Sequence, residues 1–417
     1  MSDSPDPTGA PGARSAKDER RARRALAADT NFRRLWFTGW SSESMRWLEI
    51  LATSVFVFEL TGSPLTVALV NLVRMLPNIL VGVFMGAVAE RVSRKVLVMA
   101  GLALSCAATA VLGLLAAAGA IEVWHIAAGG IINGLVFTVE FPGRRNLLGE
   151  IAGPDRVGTA MGLDAVARNS TRVLGPALGG LLLETVGLQG TYLLAAVFHG
   201  ASFYLMAGLA YRAVRPPDGR WKVFSNVVEG LRYIRSRRAI VGVLVITVVM
   251  NIWGFVYATM VPVIGKGELG LSAFPIGLLL SSEGLGAMLG ALVIALFARP
   301  QHYAKIYLYG PVLFLLAVTV FSFSDLYLVS LAVLFAGGFG LAGFSTMQAT
   351  IPFLGTAPEM RGRVMGVMSM AIGTGPIGIL HLGLLANWLG APTAVTIIAV
   401  EGLVAIVVTA ILLPQVR

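Results

Sequence analysis

The stretch RAVRPPDGRWKVFSNVVEGLRYIRSRR, residues 212–238, interrupts a chain that otherwise consists mainly of long apolar runs. It carries eight of the 32 Lys and Arg residues. A helix needs about 20 mainly apolar residues to cross a bilayer, and runs of that length recur on both sides of this stretch. Residues 212–238 therefore divide the chain into two halves, and we predict six membrane spans in each.

The composition is that of an integral membrane protein. The chain is 56% hydrophobic and 13% charged, and its mean hydropathy is +0.79, whereas about a quarter of the residues in a soluble domain are charged. The predicted fold is all-α and integral to the membrane, with twelve transmembrane helices in two six-helix pseudo-symmetric halves. The seventh span is predicted as one helix over residues 239–264.

Four regions are predicted along the chain: a disordered cytoplasmic tail (1–30), an N-terminal six-helix half (31–212), a cytoplasmic amphipathic linker helix (213–238) and a C-terminal six-helix half (239–417). The tail is rich in Pro, Ala and Arg without a central apolar segment, unlike a cleaved signal. In the linker, Val227, Leu231 and Ile234 fall at helical spacing beside basic residues, which is typical of a helix lying on the inner leaflet. A solvated linker is the alternative.

The basic residues lie on one side of the predicted topology. Only Lys266 falls in a segment predicted to face outward, and four further residues fall within spans: Arg46, Arg74, Arg168 and Arg172. Because Lys and Arg are retained on the cytoplasmic side, we predict a multi-pass protein of the cell inner (plasma) membrane with both termini in the cytoplasm. The net charge of +10 then meets membrane lipid, and nucleic-acid binding is not predicted.

An internal repeat supports two related halves. The segment PDRVGTAMG, residues 154–162, and the segment PEMRGRVMG, residues 358–366, share a Pro followed by an acid, a Gly at the fifth position and Met-Gly at the end. Each segment opens an odd-numbered span from the cytoplasm. Parallel six-helix repeats are typical of transporter folds.

A charged motif follows the second span. Gly86 permits close helix approach, and Glu90 sits among the basic residues Arg91, Arg94 and Lys95. An acid in a basic cluster can form ion pairs and contacts to a helix end, which hold one conformation until a rearrangement breaks them. Topogenic charge alone is the alternative.

A second motif lies in the fifth span. Gly175, Gly179 and Gly180 let a partner backbone approach closely, and Pro176 removes an amide donor and bends the helix. We predict tight, bendable packing here. A plain packing motif is the alternative.

These motifs resemble those of the major facilitator superfamily. Residues 86–95 resemble its signature loop, with Glu90 where Asp is usual, and residues 162–180 resemble the fifth-helix motif of its exporters. Further segments are similar to the enterobactin-exporter and macrolide-efflux-like branch: residues 31–36, 58–63, 229–234 and 358–365. The resemblance implies a major facilitator fold, in which helices one, four, seven and ten line a central cavity.

Charged residues within the first span form a stripe. Glu43, Arg46 and Glu49 are three apart and share one helix face, which must contact protein or a water-filled cavity because a charge in lipid is costly. The resemblance places Glu140 of the fourth span beside this stripe. The polar residues expected at the cavity or substrate are Asn133, Asn251, Trp253, Tyr257 and Gln348.

The fifth span repeats the pattern with Asp164, Arg168 and Arg172 at spacings of four. Arg172 lacks an evident partner on its own helix, and Glu283 of the eighth span is the expected one. The carboxylates predicted to carry a coupling proton are Glu43, Glu49, Glu140 and Asp164, with purely structural ion pairing as the alternative.

The sequence does not indicate an enzyme. Cys106 is the only cysteine, no metal-ligand spacing or Walker loop is present, and neither a cofactor nor a metal is predicted. His199 and His381 lie in apolar spans, where packing is the commoner role. We predict a monomeric secondary active exporter that moves amphiphilic small molecules of the drug or siderophore type by proton-coupled antiport. The alternatives are an importer or a lipid or lysolipid translocator on the same fold, and a membrane sensor.

Overall fold

The computed structural model describes residues 24–80, 92–211 and 223–413. Within these ranges every regular element is a helix and no residue forms a strand. The N-terminal elements are α1 (Thr30–Thr61), α2 (Pro64–Leu80), α3 (Arg94–Ala117) and α4 (Val123–Ala152). The helical stretch Val157–Ala207 breaks at Gly187, where φ is 69° and ψ is −177°, so we treat it as α5 (157–186) and α6 (188–207).

The C-terminal elements follow a short helix, α7 (Val223–Arg235). They are α8 (Arg238–Val249), a π turn (Met250–Gly254), a 3₁₀ turn (Phe255–Thr259), α9 (Val261–Gly267), α10 (Ala273–Phe297), α11 (Tyr303–Ser322), α12 (Tyr327–Gly355), α13 (Arg361–Ile372), α14 (Gly375–Leu389) and α15 (Ala391–Leu412). In the described part of the chain, nine helical stretches are long and apolar enough to cross a membrane.

The helices pack as two groups. In the first group, α5 packs against α1, α6 packs against α3, and α4 packs against α2 and α3. In the second, α12 packs against α10 and α11, and α15 packs against α11 and α14. The groups meet mainly along two helix pairs, α5 with α10 and α2 with α14.

Small residues bring α5 and α10 into backbone contact. A Cβ added at Gly277 of α10 would collide with the carbonyl oxygen of Pro176, and one added at Gly180 of α5 would collide with that of Ala273. Ser281 Oγ accepts a hydrogen bond from the amide of Ala177 at 3.1 Å. Glycine is needed here because any side chain would separate the two backbones.

The predicted single helix over 239–264 is interrupted. The π turn Met250–Gly254 and the following 3₁₀ turn separate α8 from α9. The carbonyl of Ile252 lies against Gly378 of α14, and the Cβ of Trp253 lies 3.0 Å from a Cβ built at Gly402 of α15. Two neighbouring helices therefore accommodate the bulge, a feature that is frequent at functional sites.

The linker helix α7 packs on α13. Ile234 is buried in a small apolar cluster with Val364 and Val367, and Glu229 pairs with Arg363 at 2.9 Å. Leu231 stays exposed. At the other terminus, residues 24–28 are helical, whereas residues 1–23 of the predicted tail and 213–222 of the predicted linker lie outside the described residues.

Candidate functional site

A cavity of about 280 Å³ lies where the two helix groups meet. The first group supplies its charged residues: Glu43, Arg46, Glu49, Arg74, Glu140 and His199. The second group supplies neutral and apolar ones: Asn251, Phe255, Val256, Thr259, Gly375 and Ile379. Among the described lining residues, the charged groups therefore lie on the side of the first group, together with apolar residues such as Ile50 and Phe137, and the side of the second group is mainly apolar. Such a lining suits a ligand with a polar end and an apolar body.

Glu49 is the most enclosed carboxylate of the cavity. It is 2% exposed and accepts a hydrogen bond from Asn133 Nδ2 at 2.8 Å. His199 Nε2 lies 3.5 Å away and Arg74 Nη1 lies 4.0 Å away. An arginine and a histidine therefore face this carboxylate at distances longer than a good hydrogen bond.

The predicted stripe of α1 lies on the cavity. Arg46 Nη1 is 3.9 Å from Glu43 Oε2, and the guanidinium stands 3.6 Å from the ring centroid of Phe137. This geometry is a cation–π contact. Arg46 Nη1 is buried and has no hydrogen-bond partner among the described residues, so it can bind an acceptor that enters the cavity.

Glu140 connects the cavity to a buried ionic network between α4 and α5. Arg144 is 1% exposed, donates to Asp164 Oδ1 at 2.7 Å and lies 3.4 Å from Glu140 Oε1. Its guanidinium packs so tightly on Gly39 of α1 that a Cβ there would collide with it. Arg168 Nε lies 3.3 Å from Asp164 Oδ2. Asp164 is thus held by arginines and does not line the cavity.

A second ion pair joins the two helix groups. Arg172 of α5 donates to Glu283 of α10 at 2.5 Å, and Glu283 also accepts a hydrogen bond from the hydroxyl of Tyr257. Tyr257 therefore lies in the contact between the groups and not on the cavity.

The remaining polar residues that were predicted at the cavity lie at different places in the structure. Asn133 and Asn251 line the cavity. Gln348 donates to Thr247 Oγ1 at 3.1 Å, which ties α12 to α8. Trp253 does not line the cavity and donates to a carboxylate of α15.

The charged motif is described only in part, because Gly86, Glu90 and Arg91 lie outside the described residues. Arg94 pairs with Glu150 at the end of α4. Lys95 Nζ donates to the carbonyls of Ala207 and Leu209 at 2.8 Å each. A cation at the C-terminal end of α6 is favourable, so this motif ties the start of α3 to two helix ends.

The glycines of the second motif face two partners. Gly175 and Gly179 lie against Trp47 and Leu48 of α1. Gly180 and the carbonyl of Pro176 lie against α10. The motif therefore packs α5 between α1 and α10.

Sequence reasoning did not predict the ionic contacts of four residues: Arg74, Arg144, His199, which was expected to serve helix packing, and Glu401. Arg74 and Glu401 carried a signal, because each is an isolated charge inside an apolar span. Arg144 was grouped with the basic residues of the membrane edge, although it lies four residues after Glu140 on the same helix face.

The fold and its central cavity define a membrane transporter. The chain belongs to the major facilitator superfamily, in the family described as "Transmembrane secretion effector", which it matches over residues 24–417. It is 22% identical over 356 residues to the staphyloferrin A transporter of Staphylococcus aureus, with 82% of this chain and 86% of that protein covered.

A second relative is the multidrug efflux pump Tap of Mycolicibacterium fortuitum, 25% identical over 388 residues, with 89% of this chain and 92% of that protein covered. Among solved structures, the nucleoside transporter NupG superposes with a TM-score of 0.73 at 12% identity, with 92% of this chain and 98% of that chain covered. The protein is a multi-pass membrane transporter and not an enzyme.

Proposed function

We propose that the protein is a proton-coupled secondary exporter of amphiphilic small molecules. It has twelve crossings in two six-helix halves and works by alternating access. The observation that carries this proposal is an asymmetry along α5, whose α10-facing side is covered at one end and bare at the other. The proposed two-half division, with residues 31–212 and 239–417 on either side of the linker, is supported by the two packing groups of the described helices.

The covered end is sealed by contacts between the halves. Glu184 near the end of α5 accepts a hydrogen bond from the amide of Phe274 at 2.7 Å. Glu59 at the end of α1 pairs with Lys266 at 2.5 Å. The connections at this end contain few basic residues, so the positive-inside rule assigns it to the outer side.

The bare end of α5 carries glycines in register with the covered ones. Eighteen residues make five turns, so Gly158 shares a face with Pro176, and Gly162 shares a face with Gly180. No described atom beyond their own helical turns lies within 4 Å of a Cβ built at Gly158 or Gly162. In the described part of the chain this end of α5 is open, and we propose that it is the cytoplasmic end of an inward-open conformation. Closing that end would bring these small residues onto α10.

Proton entry would act at Glu49 or Glu140. Each is a buried carboxylate on the cavity, and a charge at membrane depth costs about 2.5–3.5 kcal/mol or more. Protonation removes that charge and lowers the cost of occluding the site, so it favours one conformation over the other. Asp164 contributes through Arg144, which also contacts Glu140.

The cargo follows from the two-sided cavity. An amphiphile can place its apolar body against Phe255 and Ile379 and its polar end near Arg46. The relatives are named for a siderophore and for drugs. We propose a cargo of either type.

Reconstituted vesicles with internal pH dye test the coupling, with ethidium as the transported probe. We expect ethidium movement to drive counterflow of protons in the parent protein, and Glu49→Gln and Glu140→Gln to weaken or abolish that flux. Asp325→Asn, an exposed turn acid, is the matched control. Undiminished proton flux in both cavity variants and in Asp164→Asn would overturn the proposed coupling. Fluorescent lysolipid movement without ethidium transport would favour a lipid translocator.

A further inference from the structure

Glu401 is a carboxylate in the middle of α15, outside the cavity. Its side chain is 41% exposed, and its neighbours Val400 and Val404 are exposed as well, at 45% and 56%. This side of α15 therefore faces the surroundings of the helix bundle, which are lipid in a membrane-spanning segment. A charge in that position needs a partner.

The carboxylate has two partners, each on a different element. His381 of α14 places Nε2 at 3.0 Å from Glu401 Oε2. Trp253 of the π turn donates its Nε1 hydrogen to the same oxygen at 2.8 Å. The three side chains form a cluster that we call the outer triad, and it joins α14, α15 and the π turn through one oxygen atom.

The outer triad is connected to the cavity wall through Trp253. The π turn is wedged between Gly378 and Gly402, which contact Ile252 and Trp253. In the same turn, Asn251 lines the cavity. Trp253 and Asn251 belong to the same short turn, so a displacement of Trp253 would act on the backbone next to Asn251.

Other ionisable groups on the elements packed against α15 are engaged elsewhere, lie at helix ends like Tyr303 of α11, or are exposed like Tyr309 of α11 (63%). On α11, Tyr307 donates to the carbonyl of Val243 at 2.8 Å, and Lys305 lies in the first turn. On α9, Lys266 pairs with Glu59. Arg238 begins α8 at the basic end. Among the described residues, His381 is the ionic partner of Glu401.

We propose that the outer triad is a second proton-binding site, which lies in the C-terminal half and controls the π turn. With one proton, the imidazolium of His381 and the carboxylate of Glu401 form a neutral ion pair. When the imidazolium gives its proton to water, a net negative charge remains at the lipid face, where it is costly. The Glu401 carboxylate then moves toward more polar surroundings. Trp253 moves with it, because the indole N–H of Trp253 donates a hydrogen bond to that carboxylate.

This site is independent of the proton step proposed at Glu49 and Glu140, and a test on purified protein without cargo keeps the two apart. Tryptophan emission is followed between pH 5 and 8, the range in which imidazole changes charge. Because Trp124 lies 3.7 Å from His125 between ring centroids, the test is made in a Trp124→Phe background. Trp388→Phe is the matched control, since Trp388 is an exposed residue of α14.

We expect a pH-dependent change of emission that persists in Trp388→Phe and is lost in Trp253→Phe and in His381→Gln. Glu401→Gln keeps an acceptor for Trp253 but removes the ion pair, so it flattens the same titration and serves if His381→Gln fails to fold. A flat titration in the background protein, or a change that survives Trp253→Phe or His381→Gln, would overturn the proposal.

A second readout follows the cavity wall. A nitroxide attached at Thr259→Cys in a Cys106→Ala background reports the mobility of the 3₁₀ turn beside the cavity. We expect its spectrum to change over the same pH range and to become insensitive to pH in His381→Gln. An unchanged spectrum in the parent would show that the outer triad does not move the cavity wall, which contradicts the proposal.

Discussion

One methyl group added where α5 contacts α10 should shift the equilibrium between the conformation in which these helix ends touch and the conformation in which they separate. In Gly277→Ala the new Cβ collides with the carbonyl oxygen of Pro176, at the end of the bundle that we propose to be the sealed outer end. Overpacking of this kind costs about 1–3 kcal/mol. This free-energy cost arises only in the conformation in which the outer ends of α5 and α10 touch. It is absent from a conformation in which they separate.

The size of the shift in the conformational equilibrium follows from the difference in this free-energy cost between the two states. A penalty of about 1–3 kcal/mol in one state corresponds to a shift of about 5- to 150-fold in the equilibrium between the two states. Alanine also favours a helix over glycine by about 0.5–1 kcal/mol, but this gain is equal in both states and leaves the equilibrium unchanged. We therefore expect Gly277→Ala to populate the outward-open state.

The assay is labelling of a cavity cysteine from outside. Ile50 lines the cavity, so Ile50→Cys in a Cys106→Ala background reacts with an impermeant thiol reagent only when the outer end opens. We expect labelling to be at least about fivefold faster in Gly277→Ala. Gly355→Ala is the matched control, because its Cβ meets Ile240 at 3.8 Å, an ordinary contact.

An unchanged labelling rate in a folded Gly277→Ala protein would refute the reasoning. So would an equal rise in Gly355→Ala, since that change leaves the seal intact.

Three further predictions concern the sealed and open ends and the buried charges. Gly162→Ala should act in the opposite direction and slow outside labelling, because the added methyl is free now and clashes only when the cytoplasmic end closes. Arg144→Met should lower the free energy of unfolding by about 3–5 kcal/mol, because it leaves Glu140 without its buried ion-pair partner and removes the hydrogen bond to Asp164. Glu140→Gln in the same chain should restore part of this loss. Thermal unfolding in detergent measures both variants, and a neutral Arg144→Met would contradict the network. Tyr257→Phe removes the hydrogen bond to the Glu283 carboxylate, and a hydrogen bond to a charged group contributes about 1.5–3 kcal/mol. The midpoint temperature of thermal unfolding should therefore fall. An unaltered midpoint would count against the bond to Glu283.

The periodicity of α1 shows how far local sequence can reach. Residues three apart share a helix face, and a charge cannot face lipid cheaply, so Glu43, Arg46 and Glu49 had to contact protein or water. Both arguments use only residues that lie close together in the sequence. The structure places all three on the cavity.

The break of the seventh predicted span could not be found in this way. It depends on Gly378 and Gly402, which lie far along the chain and accept Ile252 and Trp253. Beyond the π turn, Tyr257 lies in the contact between the halves and not on the cavity. The resemblance that placed Tyr257 at the cavity gave no sign of this break.

Arg144 illustrates a second limit. An arginine near the end of an apolar span is explained by the positive-inside rule, so counting charges gives no reason to expect it to be buried. Its burial depends on the space left by Gly39 on another helix and on Asp164 on a third. These are tertiary facts that one sequence does not contain.

Alternating access is the central claim, and paired distances at the two ends of α5 and α10 test it most directly. The contacts of Gly180 with Ala273 and of Gly284 with Arg172 show that these helices run antiparallel. One spin-label pair at Val166→Cys and Val293→Cys, two exposed positions, reports the inner end, and a second pair at Thr185→Cys and Phe274→Cys reports the outer end. Both pairs are measured in the Cys106→Ala background in lipid vesicles, at acidic and at neutral pH.

The account predicts that the inner distance shortens in the population whose outer distance lengthens, with the balance between the two populations shifted by pH. A single unvarying distance at both ends, or ends that lengthen together, would contradict it.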